Sequence, residues 1–263
     1  MINKTIYMRS SLAEEQEKIE AAKFFNIVEQ RVLCPKDSIV IGRYSVLPFY
    51  KELEEDLKYL NSKLINSYRE HRYVADIQNW YYDLEDMTPK TWFRLEDVPI
   101  KQDGSFILKG ETNSRKALWN THMFAKTRSD ITNIACKLMD DSLIGSQNIY
   151  CRQFEPLISF GNGMNDIPIS KEFRFFVCDK KVIASGFYWS EQDFVLSSDE
   201  VPITFINEII DRIGDNIRFF VVDVGQKVDG NWIVIELNDG QMSGLSCCNA
   251  NELYSNLNNI LND

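Results

Sequence analysis

Histidine is nearly absent: His71 and His122 are the two in 263 residues. A Ser-His-Asp triad or a multi-histidine metal centre therefore has very little to draw on. Catalysis must rest on lysine, arginine, carboxylates and a hard metal ion. The six cysteines, Cys34, Cys136, Cys151, Cys178, Cys247 and Cys248, form no C-x-x-C pair. Neither a zinc site nor a redox motif is indicated. Most of them sit singly in apolar segments, the pattern of reduced core thiols in a cytoplasmic protein. A reactive thiol in the loop at Cys247-Cys248 is the alternative for that pair. No stretch approaches the roughly 18 uninterrupted apolar residues of a membrane span, so no membrane partner is expected. The segment Met1-Ile2-Asn3-Lys4-Thr5 lacks a signal-peptide apolar region and cleavage site, so secretion is not expected. No internal repeat or low-complexity tract is visible. Basic charge is in deficit, with 29 Lys and Arg against 39 Asp and Glu, a formal net charge of −10. Bulk charge argues against passive coating of a nucleic-acid duplex and leaves only a local basic stripe as a route to it.

What is present is the composition of an ordinary globular protein, 44% hydrophobic and 26% charged. The length suits one large domain or two to three subdomains with sizeable cores. Helical spacing predicts helices over 12–25, capped by Ser10-Ser11, and over 52–64, 76–84, 129–138, 204–213 and 251–261. Strands are predicted at 38–43, 105–110, 149–154, 172–177 and 182–189, with Asp179-Lys180-Lys181 as the turn between the last two. Residues 66–73 mix aromatic and basic side chains and read as an amphipathic connector, with a substrate surface as the alternative. Residues 161–166 read as a loop, and Thr88-Pro89 as a break.

The most informative stretch is Val221-Val222-Asp223-Val224-Gly225, followed by Trp232-Ile233-Val234-Ile235-Glu236-Leu237-Asn238. These are two nearly continuous apolar runs joined by the turn Lys227-Val228-Asp229-Gly230. Strand alternation puts Glu236 and Asn238 on one side and Leu237 on the other. Buried acids need a partner or a metal, and carboxylate and amide oxygens suit Mg²⁺. The alternative is a polar hairpin with its outer face in water. Lys109 ends the apolar strand Phe106-Ile107-Leu108-Lys109-Gly110. It is either a phosphate ligand or a lysine reaching for solvent. Arg174, inside Glu172-Phe173-Arg174-Phe175-Phe176-Val177, must be paired or face a cleft. Its planar fork suits carboxylate or phosphate oxygens, and a local acid such as Glu172 is the other partner to consider. Arg152 has a similar setting between Tyr150 and Phe154.

The order of these pieces resembles the ATP-grasp superfamily over about residues 88 to 250. Three segments carry the resemblance: the strand ending at Lys109, the strand of Arg174 with its return strand, and Asp223 followed by Glu236-Leu237-Asn238. Between them, Arg152-Gln153-Phe154-Glu155-Pro156-Leu157 looks like the family's linking segment, where adenine binds. The resemblance is nearest to a carboxylate–amine ligase branch common in phage and bacterial genomes. It implies an α+β chain with two subdomains clasping ATP, 88–154 and 155–263, preceded by an N-terminal α/β subdomain, 1–87. It implies Mg²⁺ and ATP as cofactors. Lys109 would contact the α- or β-phosphate, and Arg174 the γ-phosphate or acyl phosphate; these two would be catalytic. Arg152, Phe154, Glu155 and Leu157 would line the nucleotide pocket, and Asp223, Glu236 and Asn238 would hold metal. The phosphate-covering loop, Glu111-Thr112-Asn113-Ser114-Arg115-Lys116, is not glycine-rich, so Arg115 or Lys116 would replace a backbone cradle. The family's first lysine has Lys90 and Lys101 as candidates.

The resemblance further implies a ligase that activates a small-molecule or peptide carboxylate as an acyl phosphate, which an amine or thiol then attacks. Two other classes are open. An RNA-ligase-like nucleotidyltransferase would adenylylate Lys109 in Lys109-Gly110-Glu111, but no basic K-x-K pair closes the C-terminal region. A non-catalytic ATP-binding module would have lost metal ligands, yet all three are present. Arg43, Tyr44, Arg69, His71 and Arg72 are placed by location alone as contacts to the acceptor.

Overall fold

Alternating apolar strands and amphipathic helices build this chain, and the computed structural model describes residues 3–262. Met1 and Ile2, the first residues of the segment read for a signal peptide, lie outside the described residues, as does Asp263 at the end of the expected 155–263 subdomain. The elements in order are β1 (Asn3–Tyr7), α1 (Glu15–Ala22), β2 (Asn26–Val28), β3 (Ser38–Ile41), α2 (Tyr50–Tyr59), β4 (Lys63–Leu64) and α3 (Tyr68–Ala75). Then come α4 (Ile77–Trp80), β5 (Thr91–Trp92), β6 (Phe106–Gly110), β7 (Phe124–Ala125), α5 (Ile131–Met139), β8 (Ile149–Gln153), β9 (Ser159–Asn162) and β10 (Pro168–Ser170). The chain closes with β11 (Glu172–Cys178), β12 (Lys181–Phe187), α6 (Ile203–Ile213), β13 (Phe219–Gln226), β14 (Trp232–Asp239) and α7 (Ala250–Ile260).

The chain divides into two compact units. The first comprises Met1–Val74, Phe173–Asp223 and Leu237–Asp263. Here β2-β1-β3-β4 form a parallel sheet. A shared core joins Ile6, Met8, Phe25 and Ile41 from the N-terminal segment to Phe176, Phe219, Val221, Tyr254 and Leu257. The N-terminal segment thus shares its interior with later strands. The second unit is Ala75–Glu172 with Val224–Glu236. Its sheet runs β5-β8-β6-β7, antiparallel throughout. One face is covered by α5, whose Ile131, Ile134, Ala135 and Leu138 pack on Phe106, Leu108 and Cys151. In the sheet β12-β11-β13-β14, strand order brings β13 beside β14. The turn between them holds Gly230 at φ +90°, a conformation costly for any side chain.

Several local expectations change. The first helix begins at Glu15 and its N-cap makes no side-chain bond, because Ser10 donates instead to Glu29. The helix expected over 52–64 stops at Tyr59. Asn61 turns left-handed at φ 51° and releases Lys63–Leu64 to pair with β3. Residues 66–73 are not a mere connector, since α3 occupies Tyr68–Ala75. Part of the loop expected at 161–166 pairs instead: Asn162 lies opposite Pro168 in the β9–β10 ribbon. No helix among the described residues is long and apolar enough to cross a membrane, and the six cysteines are free.

Candidate functional site

In the second unit, β6 carries Lys109 opposite Tyr150 of β8. The strand's end leaves the lysine stem buried, and its ammonium donates to Glu236 Oε1 of β14. The Lys109 side chain is 8% exposed and that of Glu236 is 21% exposed. Burial alone would raise the Glu236 pKa. The positive charges of Lys109, Lys116 and Arg152 outweigh it and hold the carboxyl far below the usual range. Arg152, on β8 opposite Thr91, is buried. Its guanidinium donates to Ile235 O at 2.7 Å, Thr88 Oγ1 at 2.8 Å and Thr91 Oγ1 at 3.3 Å. Burial pulls its pKa down to about 10, which still leaves a cation at neutral pH.

The linking segment follows. Phe154 packs its ring edge-on to Phe124, 5.2 Å between centroids, and to Trp119 at 6.2 Å. Leu157 bridges to Lys227 and lies where a side chain at Gly225 would collide with it. Glu155 reaches Lys227 at 4.0 Å. The loop from Glu111 to Lys116 is tethered: Thr112 N donates to Gln147 Oε1 and Arg115 Nε donates to Asp141 at 2.7 Å. Arg115 is therefore engaged with Asp141, and Lys116 is the one whose charge acts on Glu236. Lys90 and Lys101 are both exposed.

In the first unit, Arg174 on β11 meets Asp223 on β13 in a two-point pair, Nε to Oδ1 at 2.9 Å and Nη2 to Oδ2 at 2.8 Å. The two side chains are 9% and 1% exposed. Nη1 donates to Gly244 O at 2.7 Å, and the guanidinium lies 5.0 Å from the Tyr188 ring centre. Burial would lower the arginine's pKa, and the Asp223 charge raises it above its ordinary value instead. Glu172, the local acid considered for Arg174, accepts a bond from Ser170. Asn238 is half-buried and shares the β14 face of Glu236, while Leu237 is buried on the other.

Of the acceptor contacts placed by location, Arg43 is corrected. It is fully buried, bonded to Glu17 at 2.6 Å and to the carbonyls of Gly240 and Ser243. An arginine whose donors are all engaged in the interior cannot meet a diffusing substrate. Sequence reasoning missed Asp239 and Gln241, buried just after the Glu-x-Asn pair. The signal available was an acid directly preceding a glycine at the end of an apolar strand. Among the described residues no group of three His, Cys, Asp or Glu could hold a metal ion. The proposed set has two carboxylates and one amide, so it falls outside that description.

The comparisons with known proteins agree with these placements. A family model described as an ATP-grasp domain, family 3 of its clade, matches residues 97–257. No curated protein sequence matches the chain. Among solved structures, D-cycloserine synthetase DcsG superposes with a TM-score of 0.67 at 11% identity, covering 99% of this chain and 100% of that one. The ligase PsnB, complexed with minimal precursor, Mg and ADP, gives 0.60 at 12% identity, covering 97% and 96%. A RimK domain protein from Sphaerobacter thermophilus gives 0.58 at 14%, covering 96% and 98%. At such identities the likeness shows the fold, which is the α+β ATP-grasp fold expected from the sequence. With the family model spanning more than half of its length, this chain belongs to the ATP-grasp domain family.

Proposed function

We propose that this protein is an ATP-dependent ligase that joins a carboxylate to an amine, or a thiol, through an acyl phosphate. The observation that carries the reading is the pairing of each candidate phosphate-binding cation with a candidate metal-binding acid. Lys109 holds Glu236, and Arg174 holds Asp223. A Mg²⁺–triphosphate brings both charges needed to satisfy such pairs, cation for the acids and anion for the bases. The donor set fits the metal: Asp223, Glu236 and Asn238 offer three hard oxygens. Each Asp223 oxygen accepts one N–H from Arg174 and keeps a lone pair, so the arginine can orient the acid that binds metal.

When bound, Mg²⁺ would neutralise phosphate charge during transfer. Lys109 would hold the α- or β-phosphate, and Arg174 would stabilise charge developing at the γ-phosphate. Arg152, Phe154, Glu155 and Leu157 would frame the nucleotide, with Arg152 acting through the Ile235 carbonyl it holds. The substrate carboxylate oxygen attacks the γ-phosphorus and ADP leaves. The amine nitrogen then attacks the acyl carbon, a C–N bond forms, and inorganic phosphate departs as the amine proton is lost to water. No histidine base is required, which suits a chain with two. The segments 1–87, 88–154 and 155–263 are proposed as the family's functional subdivisions. PsnB was solved with a precursor peptide, and DcsG is a D-cycloserine synthetase. We accordingly assign a peptide or small-molecule carboxylate and amine as substrates.

The test is Mg²⁺-dependent ATP consumption on a panel of carboxylates and amines, read beside a denaturing gel with labelled ATP. Product-linked ADP release supports the ligase. A stable lysyl-AMP adduct supports the nucleotidyltransferase, and the Lys109 ammonium, already committed to Glu236, argues against it. Absence of turnover despite nucleotide binding supports the non-catalytic module.

A further inference from the structure

Immediately after Asn238, the chain buries a carboxylate that the proposed chemistry does not use. Asp239 is 2% exposed and accepts from five donors. Its Oδ1 receives Asn66 Nδ2 at 2.8 Å and the Gln241 N–H at 2.9 Å. Its Oδ2 receives Tyr50 OH at 3.3 Å and Gln241 Nε2 at 3.4 Å, and lies 3.0 Å from His71 Nδ1. An ionised carboxylate only accepts, so that Nδ1 carries its proton. Asn66 also clamps the start of β13, donating to Phe219 O at 2.6 Å and accepting from Phe219 N–H at 2.9 Å. Gly240 touches the same spot: a side chain there would strike the Phe219 ring at 2.7 Å. Gln241 continues the thread, its Oε1 accepting the Gly42 N–H at 2.9 Å.

We infer that Asn66, His71 and Asp239 are positioning residues for Asp223 and Asn238, an inference that rests on the metal-binding role proposed above for those two. The physical reason is the strand period. Asp239 and Asn238 point to opposite faces of β14, so anchoring Asp239 sets the roll of the strand and the aim of the Asn238 amide. Asn66 links the end of that strand to the start of the one that carries Asp223. The anchors come from the loop after β4 and from α3, so the N-terminal segment builds the frame of the metal site. Partners of this kind, one step behind the ligands, change metal affinity by about 10–100-fold when removed.

The experiment is titration of the full chain with a non-hydrolysable ATP analogue in Mg²⁺, with a thermal melt as the folding control. His71→Leu removes the donor and should weaken Mg²⁺-dependent binding about tenfold or more. His71→Asn places an N–H near the lost Nδ1 and should restore most of the affinity, which a purely packing role would not produce. Tyr50→Phe keeps the ring, deletes one hydroxyl, and should shift affinity in the same direction by a smaller factor. If His71→Leu does not fold, Tyr50→Phe decides the matter. A folded His71→Leu or Tyr50→Phe that binds as wild type, or a His71→Asn no better than His71→Leu, overturns the inference while the proposed function stands. A wild-type chain that does not bind the Mg²⁺ analogue overturns both.

Discussion

Arg174–Asp223 and Lys109–Glu236 are both acid–base pairs at candidate metal ligands, yet they differ in depth and in number of contacts. The arginine pair is two-point, its acid 1% exposed, and the third arm of the guanidinium is held by Gly244. The lysine pair is a single ammonium on a carboxylate that is 21% exposed. A rigid fork with every donor assigned holds its acid in one orientation. A flexible ammonium is a point charge that can change partner at little cost. The first pair therefore reads as an anchor, and the second as the contact that nucleotide opens.

Breaking the anchor should produce the largest effect. Arg174→Leu leaves Asp223 buried without its counter-charge and should cost about 3–5 kcal/mol of stability, measured by denaturant unfolding. A loss under ~1 kcal/mol would erase the distinction between the pairs. Glu236→Gln keeps shape and deletes charge. Folding should survive, while Mg²⁺-dependent ATP turnover falls by about 10²-fold or more. Asn238→Asp adds charge and should give a smaller loss in the same assay. A folded Glu236→Gln protein with wild-type turnover would remove the metal from this site.

Lys109 sharpens the comparison from the other side. Saturating Mg²⁺–ATP, at a hundredfold excess over its dissociation constant, should stabilise wild type by about 2.7 kcal/mol. Lys109→Ala should lose most of that shift in a thermal melt while the ligand-free protein still folds. The smallest effect concerns pH. The Glu236 carboxyl is depressed in the folded state below its ordinary value of 4.5. Its contribution is present above that value and is lost as pH falls toward the lower folded value. Acid unfolding should therefore be less steep below pH ~4.5 in Glu236→Gln than in wild type. Equal slopes would mean the pair is already solvated away.

Local pattern and long-range arrangement were legible to different degrees. The strand with Lys109, the strand with Arg174 and the hairpin with Asp223 and Glu236 were readable because period and burial follow from residue order alone. β1 was missed, since five residues of Asn3–Tyr7 carry too little alternation to stand out before their parallel neighbours are known. The capping serine failed because Glu29, nineteen residues on, competes for its hydroxyl. Arg43 looked like a surface arginine until the buried Glu17 and Tyr254 were seen around it.

Residue order by itself determined the chemistry on offer: hard oxygen donors, cations at strand ends, and no histidine base. It also determined which residues share a strand face, because alternation is set by covalent geometry. Tertiary structure alone decided the partners. Lys109 and Glu236 are 127 residues apart, Arg174 and Asp223 are 49 apart, and His71 and Asp239 are 168 apart. No local propensity encodes such distances, since they follow from the sheet order and from burial of the N-terminal segment in a core shared with later strands. Each buried charge then took the counter-charge or hydrogen-bond donor within reach, because leaving it unsatisfied in the interior costs more than ordering its partner.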